Sequence, residues 1–172
     1  MFRTIFAKLK GLPPDPTADW PRLSPPAPAI EHDGAIGNLR FGDDLTAAQS
    51  FGRPEHFHWM RPDYCQLLYA GQGFQLEFDA GRFAYAAFLV GPDEFLPDSQ
   101  SLVFSTPRVD SHVLSRATTV QQIETMFGPP DSADRDDEET VLAYRGRNVT
   151  LEFEFAATEM LKRVNAYSAS AA

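Results

Sequence analysis

Two pairs of acidic residues stand at a spacing that could support acid–base chemistry. Glu77 with Asp79 forms one pair, and Glu152 with Glu154 forms the other. Residues i and i+2 of a strand share a face about 6.5–7 Å apart, and glycosidase carboxyl groups lie about 5–9.5 Å apart. Polar residues also alternate on the solvent face of any half-buried strand, so we interpret both pairs as solvated. A carboxylate-dependent hydrolase is the third-ranked function, and no catalytic residue is assigned.

A metal site has one candidate segment. His56 and His58 would present two imidazoles on one face of an extended strand, with Asp63 close by in the sequence. Two histidines are too few, and no histidine or cysteine motif has metal-ligand spacing. The single cysteine, Cys65, stands at an apolar strand start and is expected to be a small buried side chain. The sequence therefore predicts no metal ligands, no cofactor and no enzyme activity.

The net charge indicates the class of partner. The chain has 24 acidic and 15 basic residues, a formal net charge of −9. Neutralising phosphates requires a basic surface, so the composition argues against nucleic acid and favours a protein partner with a basic surface. The densest acidic run, residues 131–139, is predicted to be a loop whose carboxylates steer that partner. Its acidic residues are Asp131, Asp134, Asp136, Asp137, Glu138 and Glu139.

Aromatic residues are the predicted anchors of the same contact. The segment His56–Met60 is predicted to be a loop carrying Phe57 and Trp59, and large aromatic side chains often dominate the energetics of protein interfaces. We expect this loop, the acidic loop and the polar face of the strands to form one contact surface. The members of that surface on the strands are Glu77, Glu152 and Glu154.

The first ten residues form a short basic amphipathic pattern. Apolar residues recur at helical spacing with Arg3, Lys8 and Lys10 between them. The pattern lacks the apolar run of a signal peptide and the roughly 20 apolar residues of a spanning helix. We expect a cytoplasmic protein with weak peripheral membrane or partner contact through residues 1–12; the competing interpretation is a loosely ordered tail. The anchoring side chains would be Phe2, Ile5, Phe6 and Leu9.

A proline-rich stretch follows this pattern. Residues 13–28 hold seven of the 14 prolines, which predicts an extended, semi-rigid tether. Because such a stretch offers few backbone donors and little alternation, we expect residues 1 to about 34 to pack poorly against the folded body. The folded part is predicted to start near Ala35.

From there the chain repeats itself at an offset of 75–76 residues. Phe51-Gly52-Arg53-Pro54 recurs as Phe127-Gly128-Pro129-Pro130, and Leu76-Glu77-Phe78 recurs as Leu151-Glu152-Phe153. An apolar stripe of helical spacing precedes each aromatic-Gly motif, and glycine with proline ends a helix. The repeat predicts two short helices, each followed by strands.

The start of each helix can be located from its capping residues. Thr119 with Gln122 three residues later predicts a capping box for the second helix. Asp43 or Asp44 is the predicted N-cap of a weaker first helix.

The strands are predicted from alternation. Apolar residues alternate with polar ones over 74–78 and 149–155, which predicts one strand in each repeat. The segments 83–89 and 161–167 are predicted to be the last strands of the two meanders. An additional strand is predicted at Ser101–Phe104. The fold class is therefore α+β: two tandem helix plus antiparallel β-meander repeats form one antiparallel sheet with the short helices on one face. The predicted buried residues are Phe51, Phe74, Leu76, Phe78, Ile123, Phe127, Leu151 and Phe153. The predicted units are 1–34 (amphipathic segment and tether), 35–90 (first repeat), 91–113 (connection with one strand) and 114–168 (second repeat).

This plan resembles a known fold family. The unit consists of a short helix, an aromatic-Gly-x-Pro stop and a meander, and it occurs twice after the lead-in Ile36–Gly42. This arrangement resembles the beta-lactamase inhibitory protein fold and the related small outer-membrane assembly lipoproteins. The resemblance covers about residues 35–168. Two departures stand out: Ala117-Thr118 stands where the family tends to have glycine, and the N-terminal lipobox cysteine is missing, which argues against outer-membrane anchoring. The single cysteine also excludes the inhibitory protein's disulfides.

The resemblance and the charge together lead to a functional expectation. We expect a non-catalytic protein-binding module, an inhibitor or immunity-type antagonist of a basic partner. The alternative is a scaffold or accessory subunit of an envelope-associated complex, attached through the N-terminal segment.

Overall fold

The computed structural model describes residues 12–23, 27–31, 33–92 and 103–169. These residues form an α+β fold with an eight-stranded antiparallel sheet and a five-stranded sheet of short strands. The predicted fold class is confirmed, since two helix-plus-meander repeats share the large sheet. No helix among the described residues is long and apolar enough to span a membrane. The residues predicted to act as an anchor, Phe2, Ile5, Phe6 and Leu9, lie outside the described residues.

The elements follow the predicted repeat in chain order. The first short strands are β1 (Ile30–Glu31), β2 (Ala35–Ile36) and β3 (Leu39–Arg40). A 3₁₀ helix (Leu45–Phe51) then precedes the first meander of β4 (His56–Arg61), β5 (Tyr64–Tyr69), β6 (Phe74–Asp79) and β7 (Arg82–Leu89). The connection contains β8 (Arg108–Val109) and β9 (His112–Val113). Helix α1 (Val120–Phe127) precedes the second meander of β10 (Ser132–Arg135), β11 (Glu139–Arg145), β12 (Val149–Ala156) and β13 (Leu161–Ser168).

The two meanders meet in the middle of the large sheet. Its strand order is β10-β11-β12-β13-β7-β6-β5-β4, and β13 pairs with β7 so that Ala166 lies opposite Ala86. The last strand of each repeat is therefore central, and β10 and β4 are the two edges. Because neighbouring strands lie about 4.8 Å apart, the edges are about 34 Å apart.

Helix α1 begins and ends as its sequence predicts. Thr119 Oγ1 accepts the N–H of Gln122 at 3.3 Å, and Gln122 Oε1 accepts the N–H of Thr119 at 2.9 Å. This capping box satisfies two N–H groups that would otherwise lack partners in the first turn. Gly128 follows the helix at φ +83°, and its N–H donates to the Glu124 carbonyl at 2.9 Å.

The helix of the first repeat differs from the prediction. Asp44 occupies the N-cap position, but its side chain makes no capping hydrogen bond and pairs with Arg82 at 3.0 Å. The Asp43 carboxylate accepts the Arg40 N–H at 2.8 Å, before the helix starts. The predicted N-cap position at Asp44 is therefore confirmed, but the side-chain hydrogen bond expected of a cap is not formed.

Alternation places the core on one face of the large sheet. The apolar residues of β6 and β12 are buried, while Glu77, Glu152 and Glu154, which stand between them, are half-buried on the other face. This confirms the predicted direction of the three glutamates. The prediction of burial is confirmed for seven residues: Phe51, Phe74, Leu76, Phe78, Ile123, Leu151 and Phe153.

Both helices pack on the core face. The ring centroids of Phe51 and Phe74 are 6.0 Å apart, and those of Phe127 and Phe153 are 5.3 Å apart. The prediction that Phe127 is fully buried is wrong, because its ring lies at the border of the core against His112. The small sheet completes this layer with its fully buried residues Ile30, Ile36, Leu39 and Val109.

The strand predicted at Ser101–Phe104 is not formed in its described half. Val103 has no regular structure and is 53% exposed. Its N–H donates to the Ala70 carbonyl at 3.0 Å, and the Ser105 N–H donates to the Leu89 carbonyl at 2.7 Å. The segment crosses the ends of two strands instead of running along one, so it cannot form a ladder.

The proline-rich segment is attached to the folded body. The N–H of Arg53 donates to the Pro21 carbonyl at 2.7 Å, and Trp20 packs on the core. Gly52 adopts φ +80°, and a Cβ built there would lie 2.7 Å from the Cβ of Leu23. The prediction of poor packing is therefore wrong for the described residues of this segment, because a glycine lets the two backbones approach closely.

Candidate functional site

The face of the large sheet opposite the helices carries the candidate site. We call it the polar face; its side chains come from alternate residues of the eight strands, so both repeats contribute to it. Cross-strand neighbours on one face lie close enough to interact. Its central members are Tyr64, Gln66, Gln75, Glu77, Asp79, Tyr85, Thr150, Glu152, Glu154, Arg163, Asn165 and Tyr167.

In the first repeat, Glu77 is the centre of a hydrogen-bonded cluster. Its carboxylate accepts the Tyr64 hydroxyl, and its Oε1 accepts Nε2 of Gln66 and of Gln75, each at 3.2 Å. These three donors are neutral, and within the described residues Glu77 has no ion pair. Burial, followed by the hydrogen bond to Glu77, raises the pKa of Tyr64 well above its usual value, so the hydroxyl remains a donor.

The second repeat also holds a tyrosine–glutamate pair, but its tyrosine lies on β13, the strand after the glutamate, whereas Tyr64 lies on β5, the strand before Glu77. The Tyr167 hydroxyl donates to Oε1 of Glu152 at 2.7 Å. Glu152 lies opposite Asn165 in β13, just as Glu77 lies opposite Tyr85 in β7. Burial, followed by the bond to Glu152, raises the pKa of Tyr167 to about 12. Glu152 likewise forms no ion pair in the part of the chain that is described.

The second acid of each strand is paired with an arginine. Asp79 Oδ1 accepts Nη2 of Arg61 at 2.8 Å, and Glu154 lies 3.8 Å from Nε of Arg163. Each of the two acidic pairs found in the sequence is thus divided between two roles. One carboxylate is neutralised by arginine, and the other is held by tyrosine.

Residues of the two repeats also bond to each other where β7 meets β13. The Tyr85 hydroxyl donates to Asn165 Oδ1 at 2.7 Å, and the Asn165 amide donates to the Glu154 carboxylate. Asn165 is only 2% exposed, and burial raises the pKa of Tyr85 well above its usual value. The centre of the polar face is therefore ordered by its own hydrogen bonds before any ligand arrives.

The acidic run forms an edge strand and a turn. Residues 132–135 form β10, whose pairing with β11 extends from Ser132 opposite Ala143 to Arg135 opposite Thr140. The prediction of a loop is wrong because ladder hydrogen bonds to β11 hold a segment that is exposed throughout. We call residues 131–139 the acidic hairpin.

Three of the six carboxylates of the acidic hairpin have structural partners. Asp131 accepts the Arg145 N–H at 2.6 Å, and Asp136 accepts two N–H groups of the turn at 2.8 Å each. Those two bonds lower the pKa of Asp136. Glu139 pairs with Lys162, whose side chain is buried. The carboxylates without such contacts in the described part of the chain are those of Asp134, Asp137 and Glu138.

The aromatic segment is a strand as well. It forms β4, so the prediction of a loop is wrong here too. Phe57 and Trp59 lie opposite Leu67 and Cys65, both buried, and pack partly buried against the core. They therefore lie on the face opposite to Glu77, at the edge most distant from the acidic hairpin. The structure does not bring the predicted aromatic and acidic contacts together.

Within the described residues, the histidine pair is not joined by further metal ligands. The rings of His56 and His58 stack with centroids 6.2 Å apart, and Asp63 pairs with Arg61 at 3.2 Å. No group of three or more metal-ligating side chains occurs within the described ranges. Cys65 is buried, as predicted. Its burial raises the pKa of the thiol to about 12.

Comparison with known proteins adds information on the fold. No protein-family model matches the chain, and no curated protein matches it. A crystal structure of a DUF4309 family protein, YjgB from Bacillus subtilis, is similar with a TM-score of 0.53 and 12% identity, covering 80% of this chain and 89% of that chain. A cysteine-rich secretory protein, SAV1118 from Staphylococcus aureus, has a TM-score of 0.48 and 9% identity, covering 84% of this chain and 52% of that chain. At 12% identity the first likeness shows the fold alone.

Sequence reasoning misses the side chains that hold the glutamates. Next to the turn at 156–159, Phe155 pairs with Leu161, and continuing that register would place Lys162 opposite Glu154. A bulge between Glu154 and Phe155 instead places Arg163 opposite Glu154 and Asn165 opposite Glu152, so this part of the cluster had no local signal in the sequence. Tyr64 had none, because the strand that carries it was not predicted at full length.

Proposed function

We propose that this chain is a non-catalytic protein-binding module that docks a basic partner on its polar face. The observation that carries the proposal is the pre-ordered network of tyrosine, glutamate and asparagine side chains shared by both repeats. Tyrosine is enriched among the residues that dominate binding energy in protein interfaces. A surface ordered before contact loses less side-chain entropy when the partner binds.

The dimensions of the polar face suit a protein partner. Eight strands span about 34 Å, and six residues of a strand span about 20 Å, which gives a face of about 700 Å². A specific interface of standard size buries about 800 Å² on each partner. The face is therefore large enough to form most of one interface.

The charge distribution supports a basic partner. The formal net charge of −9 includes three positive charges in residues 1–10, so the rest of the chain carries −12. Asp134, Asp137 and Glu138 add exposed charge at one edge of the face. Charges of one sign accelerate association with an oppositely charged partner at low ionic strength.

The inhibitor role and the location are parts of the same proposal. The resemblance to beta-lactamase inhibitory proteins supports an inhibitor or immunity-type antagonist over other binding roles. One unpaired, buried cysteine supports a site of action in the cytoplasm.

Affinity capture with the full chain as bait tests the proposal. Partners recovered at low salt are identified by mass spectrometry and compared between wild type and the variant Tyr64→Ala with Tyr167→Ala. Because both tyrosines are half-buried on the polar face, we expect the recovery of a specific basic protein to fall at least tenfold.

The matched control truncates two exposed apolar side chains outside the large sheet, Phe104→Ala with Val113→Ala. This control should recover the partner as wild type does. Equal recovery by the tyrosine variant and the wild type would contradict binding through the polar face.

A further inference from the structure

The spacing of the two tyrosine–glutamate pairs specifies what the partner presents. We infer that the polar face selects a partner segment carrying two basic side chains about 16 Å apart, one for Glu77 and one for Glu152. The inference rests on the proposed function and adds the chemistry of the contact.

The distance follows from the register. Three strand-to-strand steps separate β6 from β12, about 14 Å in total. Along the strands the two glutamates are offset by one cross-strand pair, because Glu77 lies opposite Tyr85, which lies opposite Tyr167, whereas Glu152 lies opposite Asn165. Two residues of a strand add about 7 Å in this direction, which brings the separation to about 16 Å.

The charges identify the ligand atoms. Four carboxylates stand on the polar face of the central strands β12, β13, β7 and β6, and arginines already neutralise Asp79 and Glu154. Within the described residues, Glu77 and Glu152 accept hydrogen bonds from neutral donors and form no ion pair. A guanidinium or ammonium group is the ligand that supplies this missing charge.

A second observation points to the same place. The Thr150 hydroxyl lies on the polar face beside Tyr167, is 2% exposed, and has no hydrogen-bond partner within the described residues. A buried polar atom without a partner costs free energy. Thr150 lies opposite Arg145 in β11 and Tyr167 in β13, so this unpaired hydroxyl is one residue pair away from Glu152.

The tyrosine rings favour a basic group at these sites. Arg61 already lies over the Tyr64 ring, with its guanidinium carbon 5.0 Å from the ring centroid. This contact shows within the chain that a polar-face tyrosine accepts a cation on its ring, an interaction favoured by the ring quadrupole.

Helical peptides that act as rulers test the inference. The probe is an Ala-rich peptide with two arginines 11 residues apart, about 16.5 Å on one side of a helix, and its isomer has them four residues apart, about 6 Å. Binding to the full chain is measured by fluorescence anisotropy at low salt. We expect the wide peptide to bind about tenfold more tightly than its isomer, because both glutamates then bind one ligand.

Two variants of equal charge separate this geometry from general attraction. Glu77→Gln with Glu152→Gln keeps acceptors for the tyrosine hydroxyls, so the fold should survive, and it should bind the two peptides alike. Asp137→Asn with Glu138→Gln removes the same charge from the acidic hairpin and should keep the tenfold preference.

Equal binding of the two peptides to wild type, or a preference that survives in the Glu77/Glu152 variant, would overturn the inference. Neither result touches the proposed function, which fails only if the captured partner is indifferent to Tyr64 and Tyr167.

Discussion

Phe153→Ala should lower the free energy of unfolding by about 3–5 kcal/mol, the range for deleting a fully buried aromatic ring. Phe153 is 0% exposed, and its ring contacts those of Phe127 and Tyr144 at centroid distances of 5.3 and 5.6 Å. Its loss would leave a cavity between the second meander and helix α1. Chemical denaturation in urea, with the midpoint and slope fitted together, measures the change.

The same substitution at an exposed site is the control. Phe104 is 45% exposed and lies outside the regular strands, so Phe104→Ala should cost less than about 1 kcal/mol. Similar losses for the two variants would mean that Phe153 does not lie in the core of the large sheet.

Gly73→Ala should cost about 3 kcal/mol or more, since two effects add at one residue. Gly73 adopts φ +71°, and a Cβ there would lie 2.3 Å from the Val103 carbonyl oxygen and 2.6 Å from the Ser105 nitrogen. The side chain therefore forces the connection away from the strand ends that it crosses. Thermal unfolding followed by circular dichroism measures the loss.

Gly81→Ala isolates the backbone part of this effect. Gly81 adopts φ +75°, and a Cβ there would meet nothing within 4 Å, so only the strain of about 1 kcal/mol applies. If the two glycine variants were equally stable, the segment around Val103 would not lie against the turn between β5 and β6.

The parts of the fold with strong local signals could be predicted from the sequence. Thr119, Gln122 and Gly128 define helix α1 by the hydrogen bonds that their own chemistry allows. Alternation in β6 and β12 fixed the direction of Glu77 and Glu152, because a strand must turn successive side chains to opposite faces.

Other elements depend on contacts between distant residues. Strand β10 is exposed at every position and exists only through its ladder with β11, so its composition resembles that of a loop. The proline-rich segment is held by the close approach of Gly52 to Leu23, which no local pattern announces. Strands of two residues, such as β8, are too short to have a period.

The candidate site divides in the same way. The glutamates were found by strand alternation, but their tyrosine and arginine partners depend on register between strands, as with Tyr167 and Glu152. Phe57 and Trp59 were predicted to contact the partner because they are large and aromatic. Their positions in the alternation of β4 instead place them on the core side of the sheet.

Four tyrosines allow a direct test of whether the partner binds on the polar face. Tyr64, Tyr85 and Tyr167 are half-buried on the polar face, and Tyr144 is half-buried on the core face, where it packs against Phe127. Hydroxyl-radical footprinting with mass spectrometry compares their oxidation in the free chain and in the complex with the captured partner. We predict that oxidation of the three polar-face tyrosines falls while that of Tyr144 stays constant; protection of Tyr144 with no change at the other three would contradict binding through the polar face.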